Sequence, residues 1–293
     1  MTRSNTDKTK MKKFSLMLFY IYIIVVLTAF IWPYFTESSS AGSFSLPSPE
    51  EKIPSLSHPF GLDDLGHDVL SVVLSGFKTS FVSGLLATAL FLVVGLVMGI
   101  FIGFEDNPLA GFAGGISNSL NSVPKFFALF IGFIIIGTYK PFLLMAMLGI
   151  LCAPRLAEIL RFKISHYRKE DFYDAAIALG LSPFTVIWKH IIWYNTRKSI
   201  FSELAYMFGY AILSEATLSF ILLGSPGRGW HSWGTIINNE LSSFSAFIYN
   251  LFNPSVRVDL ITDNPLKFLM PFAALVLTVM LFSVLSRKFS EEE

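Results

Sequence analysis

TSFVSGLLATALFLVVGLVMGIFIGF, residues 79–104, contains no charged side chain, and the hydrocarbon core of a bilayer takes about 20 apolar residues per helix. Within it Gly95, Gly99 and Gly103 recur at every fourth position, so they line one helix face along which a second backbone can approach closely. The stretch reads as a membrane span that packs against another helix. The rest of the chain agrees: 53% of its 293 residues are hydrophobic and only 15% are charged, a balance foreign to an ordinary soluble domain. Its 22 basic and 21 acidic residues leave a net charge of +1, which offers no basic face for nucleic acid. Cys152, the single cysteine, lies in an apolar run; it excludes an internal disulfide and a thiolate metal site and reads as a buried, inert thiol.

Working outward, residues 14–35 are uncharged and form a first span. A cleavable leader ending near Ser39-Ser40-Ala41 is the competing reading, although its apolar region would be unusually long. A third span runs from about 117 to 137, interrupted by Pro124 and Lys125, and a fourth from about 141 to 160, interrupted by Pro154, Arg155 and Glu158. Such interruptions are tolerated where neighbouring helices or a cavity satisfy the polar groups, so these two segments suit a channel-lining location. The fifth span, about 200–223, contains Glu203 and Glu215, and the sixth, 268–286, is uncharged. The expected fold is therefore an all-α polytopic membrane protein with six transmembrane helices.

Lysine and arginine bias sets the orientation. Residues 1–13 carry Arg3, Lys8, Lys10, Lys12 and Lys13, and the segment 163–198 carries Lys163, Arg168, Lys169, Lys189, Arg197 and Lys198; both are expected in the cytoplasm. Segment 36–76 has Lys52 as its only lysine or arginine, against Glu37, Glu50, Glu51, Asp63, Asp64 and Asp68, which suits the outer face. A permease domain of residues 77–287, an outer loop at about 225–263 and a cytoplasmic tail at 288–293 complete the plan, with both termini inside. No internal repeat supports an inverted-repeat carrier.

The stretch Asp171 to Asn195, DFYDAAIALGLSPFTVIWKHIIWYN, is too polar to span and reads as helix, turn, helix. Asp174, Ala175, Ala176 and Ala178 favour helix, and Gly180 suits the left-handed position that ends one. Ser182 can then cap a new helix whose first position is Pro183. A small-residue helix between two spans is suited to another protein's groove; a solvated connector fits the same mechanics.

With these residues in view, the chain resembles the inner-membrane permease subunits of binding-protein-dependent ABC importers, in the branch that handles dipeptides, oligopeptides and nickel. The cytoplasmic signature is matched by Asp174, Ala175, Ala176, Gly180, Ile187 and His190. Three more blocks agree in order and separation: His58-Pro59-Phe60-Gly61 with Asp63-Asp64-Leu65-Gly66 and Asp68-Val69-Leu70-Ser71, then Glu215-Ala216-Thr217-Leu218-Ser219-Phe220, then Ser232-Trp233-Gly234. Departures are His67 where relatives often have arginine, Trp193 where the loop signature has proline, and a C-terminus without the usual Gly-Asp-Gly and Arg-Asp ending.

The resemblance implies a coupling helix between the fourth and fifth spans that docks on a cytoplasmic ATPase through Asp174, Ala175, Ala176, Gly180, Ser182, Pro183 and His190. It implies a second, different permease, two ATPases that use ATP and Mg, and a periplasmic or lipid-anchored binding protein, in a bacterial inner membrane. This chain would bind no cofactor: it has no phosphate loop, since Gly76-Phe77-Lys78-Thr79 lacks the glycine before lysine. Peptides are the first expected solute, nickel complexes or other small solutes the next. Glu215, with Ser219, is a translocation candidate because a carboxylate in an apolar helix is expensive; a structural hydrogen bond to a neighbouring helix is the alternative. His58, Asp63, Asp64, Asp68 and Trp233 are candidates for contact with the binding protein. Residues His58 to Ser71 read as a short amphipathic helix on the membrane surface or as that contact, and their acidic residues read as a cap at a helix start ahead of a metal site.

Two other classes compete. An ion-coupled carrier would use Glu203 and Glu215 as its path, but these lie roughly 120° apart around one helix. A non-transporting membrane scaffold would use the glycine faces for assembly alone, and the matched loop argues against it. A membrane hydrolase lacks paired carboxylates, a zinc helix motif and a serine elbow.

Overall fold

A computed structural model describes residues 52–63, 66–104, 108–222, 232–252 and 264–291, together with Ile24. Asp64, the segments 223–231 and 253–263, and the expected first span apart from Ile24 lie outside the described residues. Nine helices follow in order among them: α1 (Val69–Gly103), α2 (Pro108–Ser122), α3 (Lys125–Ile136), α4 (Pro141–Tyr167), α5 (Asp171–Ala178), α6 (Pro183–Thr185), α7 (Arg197–Leu222), α8 (Trp233–Phe252) and α9 (Leu266–Glu291), with a wide-turned π-helical segment, Val186–Thr196, joining α6 to α7. Four are long and apolar enough to cross a membrane: α1, α4, the continuous run Pro183–Ile221, and α9; the α2–α3 pair makes a fifth if it counts as one broken span. The described residues thus form an all-helical polytopic membrane protein.

The chain divides into two compact units. One comprises residues 1–82 and 212–281, the other 83–211 and 282–293.

In the second unit the glycine face does what its spacing predicts. A Cβ added at Gly95, Gly99 or Gly103 would lie 2.8 Å from Leu156 Cβ, 2.7 Å from Leu160 Cβ and 2.9 Å from Ile164 Cδ1 respectively. Both numbers in each pair advance by four, so α1 and α4 run parallel and in register. Leu156, Leu160 and Ile164 are wholly buried there. Gly149 adds a close approach that the sequence reading did not single out, against the backbone of Ala87. Gly99→Leu should overpack this seam and cost about 1–3 kcal/mol, read as a lower unfolding midpoint of the detergent-purified chain; an unchanged midpoint would mean that the helices part freely here.

The expected third span takes the form of two helices, α2 and α3, which meet at 88° and make either one broken span or a re-entrant loop. Pro124 has no N–H to donate and disfavours helical geometry at Val123, so the helix stops at Ser122 and restarts at Lys125. Lys125 Nζ turns back onto the carbonyls of Leu120, Asn121 and Val123, placing its charge at the negative end of α2. Both helices pack on α4. Much of α3 remains exposed, including Phe127, Ile134 and Ile135, an apolar face suited to lipid or to a partner chain.

The helices also run beyond the expected spans. α1 begins at Val69, ahead of the expected 79, because Asp68 caps it; Lys78 is exposed on its surface, where a long charged side chain can reach past an apolar face. Residues 163–167 belong to α4, the second helix of the cytoplasmic segment runs unbroken into the fifth span, and α9 continues to Glu291. The expected outer loop contains the helix α8. Its start was legible in Ser232 and Thr235, which cap reciprocally: Ser232 N donates to Thr235 Oγ1 at 2.9 Å and Thr235 N to Ser232 Oγ at 3.5 Å.

Candidate coupling surface and transmembrane cavity

The turn after α5 is built by the backbone. Gly180 sits at φ +88°, and a side chain added there would meet nothing within 4 Å, so conformation rather than space demands glycine. Leu181 N donates to Ala176 O at 3.2 Å and Gly180 N to Ile177 O at 2.9 Å, the paired bonds of a Schellman motif. Ser182 then caps α6, accepting from Thr185 N at 3.2 Å, with Pro183 in the first turn. The helix, turn, helix expected of Asp171–Asn195 is present in this form.

Its outer surface is apolar and uncovered. Leu179 is 84% exposed, and Phe172, Leu181, Phe184 and Trp188 are exposed beside it. Asp174 and Ala175 are also exposed, Ala176 partly so, and His190 stacks on Tyr194 with centroids 6.3 Å apart. The element is anchored from below: Tyr173 is buried, Arg168 lies over its ring at 5.8 Å, and Arg168 Nη1 donates to Gly103 O at 3.3 Å. That last bond places a cation at the carboxyl end of α1. Along the π-helical segment, Asn195 Nδ2 and Thr196 Oγ1 bond carbonyls five residues back, at His190 and Ile191, matching the wider turn.

In the first unit, blocks of the recognised pattern meet. Glu215 is wholly buried and accepts from Ser80 Oγ of α1 at 2.7 Å, the geometry of a hydrogen bond between helices. Ser232 Oγ donates to Ser219 Oγ at 2.9 Å, and Gly234 lies directly against Ala216 O and Ser219 Oγ. Trp233 corrects an expectation: it is 2% exposed, its indole N–H donates to Val73 O at 3.0 Å and its ring packs on Phe77. A side chain so enclosed packs the chain and presents no surface to a soluble partner.

The described residues 58–63 and 66–68 form turns rather than the amphipathic helix that was one expectation for His58 to Ser71. Asp68 Oδ2 accepts from both Ser71 N and Ser71 Oγ at 2.9 Å, and Asp63 accepts from His67 N at 2.7 Å and faces His67 Nδ1 at 3.0 Å. His58 Nδ1 lies 3.4 Å from Asp68 Oδ1. These carboxylates are tied up in capping α1 and closing its preceding turn, because a helix start presents unpaired N–H groups that carboxylates satisfy. No cluster suited to a metal occurs among the described residues.

A cavity of about 500 Å³ opens in the second unit, lined by Lys125, Cys152, Arg155, Glu158, Glu203 and Tyr206 with a few apolar and amide neighbours. Arg155 Nε lies 2.8 Å from Glu203 Oε2, Nη2 donates to Glu203 Oε1 at 3.2 Å, and the guanidinium sits 4.3 Å from the Tyr206 ring centre. Glu158 Oε1 accepts from Asn121 Nδ2 at 3.0 Å. Of the interruptions, Lys125, Arg155 and Glu158 line this one space. Glu203 is paired with Arg155; the partner lies 48 positions away in sequence, and only the carboxylate and guanidinium types hinted at it.

Apolar membrane helices, a close-packed glycine seam and a presented helix-turn-helix define a multi-pass helical membrane protein. The chain belongs to the family described as the binding-protein-dependent transport system inner membrane component, which matches residues 95–289. Its relatives lie in the dipeptide and oligopeptide branch of ABC permeases. It is 31% identical over 220 residues, 74% of this chain and 71% of the other, to a Brucella suis biovar 1 protein named, provisionally, as a peptide transport system permease protein. Over 237 residues, 80% of this chain and 75% of the other, it is 27% identical to the oligopeptide transport system permease protein OppC of Bacillus subtilis. Over 265 residues, 90% and 82% of the two chains, it is 24% identical to the peptide transport system permease protein SapC of Escherichia coli O6:H1. It is therefore an inner-membrane permease subunit of an ABC importer, a class that is not itself catalytic and works with an ATPase and a substrate-binding protein.

Proposed function

We propose that this chain carries peptides inward as half of a translocation pathway whose other half is a different permease, and that two ATPases dock on the cytoplasmic helix-turn-helix. The observation that carries the docking is the exposed apolar rim of Leu179, Leu181 and Phe184 around a rigid Gly180 turn. Contiguous apolar surface of this kind marks an interaction site. Ala175 and Ala176 keep the approach to the backbone open, and Asp174 offers a carboxylate to amides or bases of the ATPase. ATP and Mg are used in that partner, and a periplasmic or lipid-anchored binding protein delivers the peptide.

Six spans fit the helix directions. Parallel packing of α1 and α4 requires one return crossing between them, which the bent α2–α3 pair supplies, and residues 14–35 add the first span. The Arg168–Gly103 bond puts the ends of α1 and α4 on one side, the side of the coupling segment. With the lysine-rich residues 1–13 on that same side, both termini are cytoplasmic. The carrier reading loses its motive, since Glu203 pairs with Arg155 and Glu215 bonds Ser80.

Copurification in mild detergent tests the reading. A second permease and ATPase should accompany the tagged chain, and the ATPase alone should be lost when Ala175 and Ala176 are both replaced by leucine. A chain that purifies only with itself, from membranes containing these partners, would overturn it.

A further inference from the structure

Four charged side chains line the cavity: Lys125 and Arg155, Glu158 and Glu203. Two carry positive and two negative charge, so the lining is neutral yet strongly polar. Arg155, Glu158 and Glu203 belong to helices long and apolar enough to cross a membrane, where charges are costly and are retained where they bind or conduct. The Arg155 side chain is 49% exposed whereas that of Glu203 is 15% exposed, so the pair is open mainly from the guanidinium side. A guanidinium has five N–H donors in a fixed fork, and Glu203 engages only Nε and Nη2.

We propose that this cavity is a subsite of the translocation pathway for short peptides with both termini free, held by an exchange of ion pairs. The peptide carboxylate takes the place of Glu203 on Arg155, and the peptide ammonium takes the place of Arg155 on Glu203, with Glu158 beside it. The selectivity follows from the pairing. Opening Arg155 from Glu203 with an anion would strand the glutamate, whose side chain is only 15% exposed, and a lone enclosed charge is strongly unfavourable; a cation would leave the half-exposed guanidinium without its partner. A zwitterion satisfies both partners in one step. Tyr206 and Phe91 provide the walls, flat surfaces that accept varied side chains without selecting among them. A volume of about 500 Å³ suits a small ligand. Lys125 stays at the end of α2, where its bonds to backbone carbonyls hold it.

This proposal rests on the peptide reading above. Cys152 lines the same space, is buried and is the chain's single cysteine, so slow modification at that one position reports occupancy. The test uses inside-out vesicles containing the whole transporter. Conversion of Cys152 to a mixed disulfide by a small methanethiosulfonate, with methanesulfinate as the leaving group, is followed by mass spectrometry, without and with trialanine, and uptake of labelled trialanine is measured in whole cells. A bound ligand buries roughly 70–90% of its surface in such a cavity, so saturating trialanine should slow the modification about threefold or more. Trialanine blocked at both ends should give no protection. Asn121→Cys in a Cys152→Ser chain provides a second reporter on the same lining should Cys152 react too slowly. Protection lost in Arg155→Gln/Glu203→Gln, while the α1–α4 seam keeps its unfolding midpoint, would support the exchange. Equal protection by the doubly blocked peptide would overturn it, as would none by trialanine at either reporter in a transporter that takes trialanine up. If no peptide is taken up, the peptide reading fails and the subsite with it.

Discussion

Gly180→Val should leave the chain in the membrane at its normal level and reduce peptide uptake at least about tenfold, a ratio that corresponds to roughly 1.4 kcal/mol. No neighbour obstructs a side chain at this position, so the effect acts through the backbone alone. A β-branched residue held in the left-handed region is strained by about 1–3 kcal/mol. The turn relieves that strain by giving up the bonds from Gly180 N and Leu181 N to Ile177 O and Ala176 O, and with them the alignment of Ser182 over the start of α6. Gly180→Asn separates this cause from any need for a small side chain, because asparagine tolerates the left-handed region; it should keep most of the uptake. Transport assays in cells, paired with ATPase activity in vesicles, check both. Normal uptake by Gly180→Val would sink the coupling proposal.

Gly234→Ala should be severely damaging to folding. Its Cβ would overlap the backbone oxygen of Ala216 and the hydroxyl of Ser219, and Ser219 itself bonds Ser232. A backbone carbonyl inside a helix cannot turn aside, so α8 has to lift from α7 and pull Trp233 off Val73. The expected loss exceeds about 4 kcal/mol, the range of exceptional substitutions, and would show as degradation in cells and a collapsed unfolding midpoint. Trimming the other obstacle with Ser219→Ala should not rescue it, because the Ala216 carbonyl remains. Wild-type levels of Gly234→Ala would mean that the two motif blocks are not in contact.

Local rules were legible in the sequence wherever a single segment satisfies them. Charge-free runs announced α1 and α9, four-residue glycine spacing announced the seam, and a glycine followed by Ser-Pro announced the turn at 180. What escaped was decided by partners distant in the chain. Lys78 ended the apolar count eight residues or more after the helix had begun, since a count cannot tell a lysine that reaches outward from one that breaks a span. Pro124 signalled an interruption, but the right angle depends on both α2 and α3 packing on α4. Arg155 and Glu203 are each visible as misplaced charges, while their pairing exists only once α4 and α7 lie together. Trp233 looked like a surface aromatic in a polar loop until α8 buried it.

The tie between Arg168 and Gly103 gives the cytoplasmic end of this chain the character of a crank. α4 leads straight into the docking element and is keyed to α1 along three successive turns, while on the far side the chain runs from Pro183 to Ile221 without a break. Under the proposed docking, a push at the turn would reach the interior along both arms. The wide turns of Val186–Thr196 are the one stretch of the Pro183–Ile221 run with altered pitch, and a change in their winding would rotate Glu203 against Arg155, turning the proposed thrust into the loosening of a grip.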